Sequence, residues 1–145
     1  MTKIRRFEPL DLAEIVKITK VSFPKNRILA KNFEKYYQSY PDGFIISEEL
    51  GEIAGYIVGQ FKSEAGEITL LAVKPFFRQK GVGTELVRSL AEHFKTIGFK
   101  ELLLYIKTNN HTALSFFHNL DFRILKTIKK YYQNRDDVFL MGKTI

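Results

Sequence analysis

Arg78-Gln79-Lys80-Gly81-Val82-Gly83-Thr84 is the stretch whose residue types and spacing first suggest chemistry. It lies between an apolar run and an amphipathic stretch, so it reads as a strand-to-helix turn. Gly81 and Gly83 let the backbone approach a ligand closely, and a helix N-terminus offers unpaired N–H groups and a positive dipole end to an anion. In physical terms that is a diphosphate site. No Gly-Lys-Ser/Thr follows, which excludes a Walker A loop, and Leu86 stands where a G-x-G-x-x-G fingerprint needs its third glycine. Two glycines also occur in ordinary tight turns, so the surrounding elements decide their weight. Cysteine is absent, which excludes thiolate catalysis, disulfides and thiolate zinc sites. His93 and His118 show no metal-ligand pairing and read as structural, His111 as a loop residue, and no metal is expected.

Positioning that turn takes a particular order of elements. A strand at 3–7 ends before Pro9. From Asp11, the residues Leu12, Ile15, Val16, Ile18 and Val21 follow helical spacing until Ser22-Phe23-Pro24 breaks it. A second helix is predicted at about 26–40, and Pro41-Asp42-Gly43 turns the chain. Strands at 44–47 and 53–58 flank Glu49-Leu50-Gly51-Glu52 as a hairpin. A strand at 67–73, stopped by Lys74-Pro75, is apolar enough to be central. From 81 to 97, Val82, Leu86, Val87, Leu90, Ala91, Phe94 and Ile97 form one helical stripe, closed by Gly98 as C-cap. The apolar run 102–106 reads as a strand buried on both faces. A strand, a helix and a strand within about 40 residues make a βαβ unit with parallel strands. A short helix at about 112–120 and strands at 123–131 and 137–142, a hairpin around Gln133-Asn134-Arg135-Asp136, complete the order βααβββαβαββ. The fold class is α/β (α+β), with one mixed sheet of about seven strands flanked by about four helices.

The composition allows this. A chain of 145 residues, 45% hydrophobic and 27% charged, suits a single domain over 1–145 with one core and excludes a disordered chain. Its 23 basic and 16 acidic residues leave a net charge of +7, a field that favours anionic partners such as phosphorylated cofactors. No apolar run approaches the roughly 18 residues of a membrane span, and no signal-like segment follows the N-terminus, so a cytoplasmic setting away from membranes is expected.

Three linked blocks then resemble the GNAT N-acetyltransferase superfamily, and the likeness covers essentially the whole chain. Arg78-x-x-Gly81-x-Gly83 looks like its acetyl-CoA pyrophosphate loop. Leu71-Ala72-Val73-x-Pro75 looks like the end of its fourth strand, and Asn110-x-x-Ala113-x-x-x-Phe117-x-x-x-Asp121-Phe122 like its downstream helix. Within the superfamily, Lys130-Tyr131-Tyr132-x-Asn134-x-x-Asp137-x-x-x-Met141 is similar to the terminal hairpin of RimI-like and archaeal-type protein N-terminal acetyltransferases, which covers their peptide groove. Ser22-Phe23-Pro24 falls where their first interhelical loop lines it.

The resemblance implies roles residue by residue. Backbone N–H groups of Gln79, Lys80, Gly81, Val82, Gly83 and Thr84 would hold the pyrophosphate of acetyl-CoA, with Arg78 and Lys80 adding charge. The N–H of Val73 would bond the thioester carbonyl and polarise it toward the oxyanion. Asn110 would stand beside the pantetheine arm, although a helix N-cap explains it equally. Glu67 takes the place of a catalytic glutamate found in several members; the plainer reading is a solvated carboxylate at a strand start. Phe117 occupies the position of the usual tyrosine acid, where it would still line the acetyl-CoA site, but it has no proton to give. Tyr105, where relatives place a glutamate or histidine, could donate to the leaving thiolate, or else pack in the core. Phe23, Tyr131 and Tyr132 would line the acceptor groove.

The leading expectation is therefore an acetyl-CoA-dependent acetyltransferase acting on the N-terminal α-amine of a protein. A small-molecule amine such as a polyamine, amino acid or antibiotic is the second. A basic nucleic-acid- or ribosome-binding module ranks last, since the cations interleaved in Lys126-Thr127-Ile128-Lys129-Lys130-Tyr131-Tyr132 also suit a lysine-guarded sheet edge. Monomer and homodimer both remain open.

Overall fold

The computed structural model describes residues 2–25, 28–131 and 136–145. Among them lie strands β1 (Thr2–Arg6), β2 (Phe44–Glu49), β3 (Glu52–Lys62), β4 (Ala65–Val73), β5 (Glu101–Lys107), β6 (Arg123–Ile128) and β7 (Val138–Thr144). The helices are α1 (Leu12–Ser22), α2 (Ala30–Ser39), α3 (Val82–Thr96) and α4 (His111–Asn119). The seven strands form one mixed sheet in the order β1-β2-β3-β4-β5-β7-β6. The order of elements is the one expected. The described residues group into two compact units, Met1–Gln60 with Ile68–His93, and Phe61–Glu67 with Phe94–Ile145.

The first unit is built on an aromatic and aliphatic core. Ile15, Ile18 and Thr19 are the buried positions of α1, and Phe33 that of α2. They pack with Phe44 and Ile46 of β2 and with Tyr56 of β3. The Leu50-Gly51 turn between β2 and β3 has positive φ at both residues, the geometry whose twist matches that of the flanking strands. The predicted helix at 26–40 begins only at Ala30. Asn32 Oδ1 accepts the Leu29 N–H at 2.9 Å, which keeps Leu29 extended and outside the helix.

In the second unit, Gly66 and Glu67 of β4 pair in parallel with Leu102 and Leu103 of β5, as the βαβ reading requires. Antiparallel β7 lies beside β5, and β6 closes that edge. The end of α3 follows its prediction. Gly98, at φ 104°, lets its own N–H reach Lys95 and the Phe99 N–H reach Phe94, the paired bonds of a glycine-capped helix end. Ile97 lies past that end, half-exposed, and drops out of the predicted stripe.

Two expectations need correction here. The β5 strand is not buried on both faces: Leu102, Leu104 and Ile106 are buried, while Leu103 and Tyr105 are only partly covered. An apolar run cannot by itself distinguish a two-sided core strand from one that leaves a face available. The strand predicted at 123–131 stops at Ile128, because Lys130 takes a positive φ and its N–H turns to Asp137 Oδ1 at 2.9 Å instead of the ladder.

Candidate active site

In the first unit, the end of β4 is followed by a 3-10 turn, Pro75–Phe77, and then by the glycine loop and α3. Gln79 (φ 59°) and Gly81 (φ 85°) are both left-handed. Such reversals turn successive N–H groups toward one concavity, a geometry that binds anions. The first bond of the helix runs from the Glu85 N–H to the Gly81 carbonyl at 3.0 Å. The first N–H groups of any helix have no partner inside it, so those at the start of α3 are free to meet an anion. A Cβ at Gly81 would meet nothing within 4 Å, so the glycine serves φ and open space, not packing. A cavity of ≈ 310 Å³ adjoins the loop, but its lining mixes Lys80 and Arg88 with the carboxylates of Glu49 and Glu85, so the backbone of the loop and not this cavity is what suits an anion. That backbone fits a diphosphate.

Of the two loop cations, Arg78 is bonded within the protein and Lys80 keeps its charge at the surface. The Arg78 guanidinium donates from Nε to the Val73 carbonyl at 3.0 Å and from a terminal nitrogen to Ser22 Oγ at 3.3 Å. It ties the loop to the end of β4 and to the last residue of α1. Lys80 lies with Nζ 4.2 Å from the centroid of the exposed Phe76 ring, a cation–π contact that leaves the charge at the surface. Phe23, just past α1, is half-buried against the core of this unit.

In the second unit, the parallel register puts Glu67 beside Leu103. Paired residues share a face and every second residue of a strand returns to it. Glu67, Leu103 and Tyr105 therefore lie on one face of the sheet. Gly66 belongs to the opposite face, where a Cβ would come within 2.5 Å of the Phe94 ring. Glu67 is half-buried, and loss of water raises its carboxyl above the usual range while the charge of Lys62 partly lowers it. A carboxylate made more basic in this way suits a proton acceptor better than a solvated one does.

Tyr105 stacks on Tyr131, ring centroids 5.3 Å apart and planes 10° from parallel. The start of the segment after β6 is thus held over β5. A Lys107–Asp136 ion pair at 3.1 Å and a Thr108 N–H to Asp137 carbonyl bond at 3.1 Å brace the same region. Tyr132 lies outside the described residues, as does the predicted turn at Gln133, Asn134 and Arg135. Asn110 caps α4, its Oδ1 accepting the Ala113 N–H at 3.2 Å. Phe117 is buried edge-on to Phe116 and Phe122, a core position on α4. Among the described residues no group of His, Asp or Glu has the arrangement of a metal site. The sequence marks Ser22 and Asp136 only as parts of a loop and a turn and does not mark Lys107, because the Ser22–Arg78 and Lys107–Asp136 contacts join residues far apart along the chain.

A model of the acetyltransferase (GNAT) family matches residues 12–122. An uncharacterized N-acetyltransferase of Methanocaldococcus jannaschii is 31% identical over 145 residues, covering 97% of this chain and 90% of that protein. An N-alpha-acetyltransferase of Sulfurisphaera tokodaii is 25% identical over 153 residues, covering 97% and 91%. The crystal structure of Ard1 from Thermoplasma volcanium shares the fold, with a TM-score of 0.91 at 23% identity over 99% of this chain and 97% of that one. A left-handed glycine loop opening a helix after β4, within a match that runs from α1 to Phe122, places this chain in the GNAT acetyltransferase family.

Proposed function

We propose that the chain, as one domain over residues 1–145, is an acetyl-CoA-dependent N-acetyltransferase whose acceptor is the N-terminal α-amine of a protein, in the RimI-like and archaeal manner. The observation that carries the acceptor is the placement of Glu67 and Tyr105 on one sheet face, with Tyr131 stacked on Tyr105. The N-alpha-acetyltransferase relative of Sulfurisphaera tokodaii supports the same reading.

In this reading, N–H groups from Gln79 to Thr84 hold the pyrophosphate, and Arg78 keeps the loop in place through Val73 and Ser22. The Val73 N–H is the proposed donor to the thioester carbonyl. Acetyl-CoA supplies the acetyl group as a thioester: one C–N bond forms, one C–S bond breaks, and the amine gives up a proton. An α-amine titrates near about 8, so at neutral pH most of it must lose a proton before attack. Glu67 accepts that proton directly or through a water. Tyr105 is the candidate donor to the departing sulfur, since Phe117 has no acidic hydrogen. From the family resemblance, Phe23, Tyr131 and Tyr132 are the proposed acceptor residues, and Asn110, while capping α4, keeps its amide N–H₂ for the pantetheine arm.

The test is acetyl transfer from acetyl-CoA to synthetic peptides and to free amines, with the modified nitrogen located by mass spectrometry. Transfer to peptide α-amines supports the reading. Transfer to spermidine or amino acids and to no peptide overturns the acceptor.

A further inference from the structure

The β6 edge carries a feature that the reaction above does not use. Arg123 and Lys126 are three residues apart, and in a regular strand they would face opposite ways. The register against β7 shifts between Ile124 and Lys126, so Arg123 pairs with Gly142 and Lys126 with Leu140. Gly142 and Leu140 are two apart on β7, and the bulge therefore brings both cations to one face. That face is the one bearing the candidate site. Leu103 pairs with Gly142 and Tyr105 with Leu140, so one row across the sheet reads Glu67, Leu103, Gly142, Arg123, and the next reads Tyr105, Leu140, Lys126.

The surface along these rows is apolar with a cationic rim. A Cβ on Gly142 would come within 2.7 Å of Leu125 and 2.8 Å of Leu103, so the two leucines close over the glycine. Leu125, the residue inserted by the bulge, is 51% exposed. Both cations are exposed, and among the described residues neither has a side-chain hydrogen-bond or ion-pair partner. Asp136 is paired with Lys107 and Asp137 accepts the Lys130 N–H, while the exposed Glu101, on the same face of β5, and Asp121, two residues before Arg123, are the other acids of this region.

Neighbouring strands lie about 4.8 Å apart, so Arg123 sits about 14 Å from Glu67, and Lys126 about 10 Å from Tyr105. An extended peptide, at about 3.3 Å per residue, covers that span in three to four residues. We propose that Arg123 and Lys126 form a selectivity rim for acceptor proteins that carry Asp or Glu at the fourth or fifth position from the N-terminus. This rests on the acceptor reading above. The rim contacts the acceptor beyond the reacting amine, so it acts in KM and not in kcat.

The experiment compares peptides identical except for Glu or Gln at positions four and five. An exposed ion pair changes an equilibrium by up to about fivefold, so two cations should lower KM for the Glu peptide by about 3- to 20-fold at low salt, with kcat equal. Salt at about 0.5 M should erase the difference. Arg123→Gln with Lys126→Gln should bring the ratio close to one, and Arg123→Lys with Lys126→Arg should keep it. Arg123→Glu with Lys126→Glu should invert the choice toward Lys-bearing peptides, a result that misfolding cannot mimic. Equal KM for the two peptides in the wild type, or a preference that survives the reversal, overturns the inference and leaves the acceptor reading standing. Salt-dependent binding of a 20-base-pair RNA duplex through these two cations, without any peptide preference, also overturns it by assigning them to nucleic acid. Transfer to spermidine but to no peptide overturns the acceptor reading itself, and this inference with it.

Discussion

Thr19 and Tyr56 make an unequal pair, and the inequality can be measured. The Thr19 hydroxyl lies 2.7 Å from the Ile15 carbonyl and 2.7 Å from the Tyr56 hydroxyl. It has one proton, and the carbonyl can only accept, so Thr19 donates to Ile15 and accepts from Tyr56. Both side chains are buried, and burial also pushes the Tyr56 phenol above its ordinary range. Tyr56→Phe removes the donor and leaves Thr19 bonded to its own helix, at a net cost of about 0.5–1.5 kcal/mol. Thr19→Val instead strands a buried phenol without a partner, at about 1–3 kcal/mol. For a chain of this size each kcal/mol moves Tm by about 2–4 °C, so Thr19→Val should melt several degrees below Tyr56→Phe. The double variant removes both groups together and should be no less stable than Thr19→Val alone, giving a clear coupling energy in a double-mutant cycle. Urea and thermal unfolding of the four proteins supply the numbers. Equal costs for the two single variants, or strict additivity, would refute the assigned proton direction.

Four further outcomes follow from the candidate site. Glu67→Gln should reduce kcat by about 10²–10⁴-fold near neutral pH, with less loss above pH 8 where the α-amine is already neutral; a flat ratio across pH would remove Glu67 as the base. The carboxyl is raised by burial, so its contribution to stability is present below the ordinary carboxylate range and is lost as pH rises through the raised value. Glu67→Gln should therefore be the more stable protein at pH 7, with the advantage fading in acid, as read by urea titration. Gly81→Val forces a β-branched residue to φ 85° and should weaken acetyl-CoA binding at least about tenfold in calorimetry while circular dichroism stays unchanged; intact affinity would exclude the loop as the pyrophosphate holder. Tyr105→Phe keeps the ring that stacks on Tyr131, so a loss of about 10²-fold or more in kcat with unchanged peptide KM identifies a proton donor, and a change within a few-fold identifies packing.

Features written within a few consecutive residues are legible in the sequence alone. The glycine loop, the Gly98 helix end, the Leu50-Gly51 hairpin and the Asn110 cap each depend on backbone geometry that one or two residue types favour. The stripe of α3 and the parallel pairing of β4 with β5 follow from periodicity and connection length. Features that depend on partners distant in sequence are not legible there. Arg78 reads as free charge until folding brings the Val73 carbonyl and Ser22 to its guanidinium. Tyr105 reads either as a donor or as a core residue on a doubly buried strand, and only the alternation of β5 leaves its face partly open for Tyr131 to stack there. Arg123 and Lys126, three residues apart, would face opposite ways in a regular strand. A single inserted residue in β6 changes that, because side-chain direction in a strand has a period of two and the bulge advances it by one. Local sequence chose the backbone turns and the helical faces. Only the pairing of strands decided which side chains share a surface.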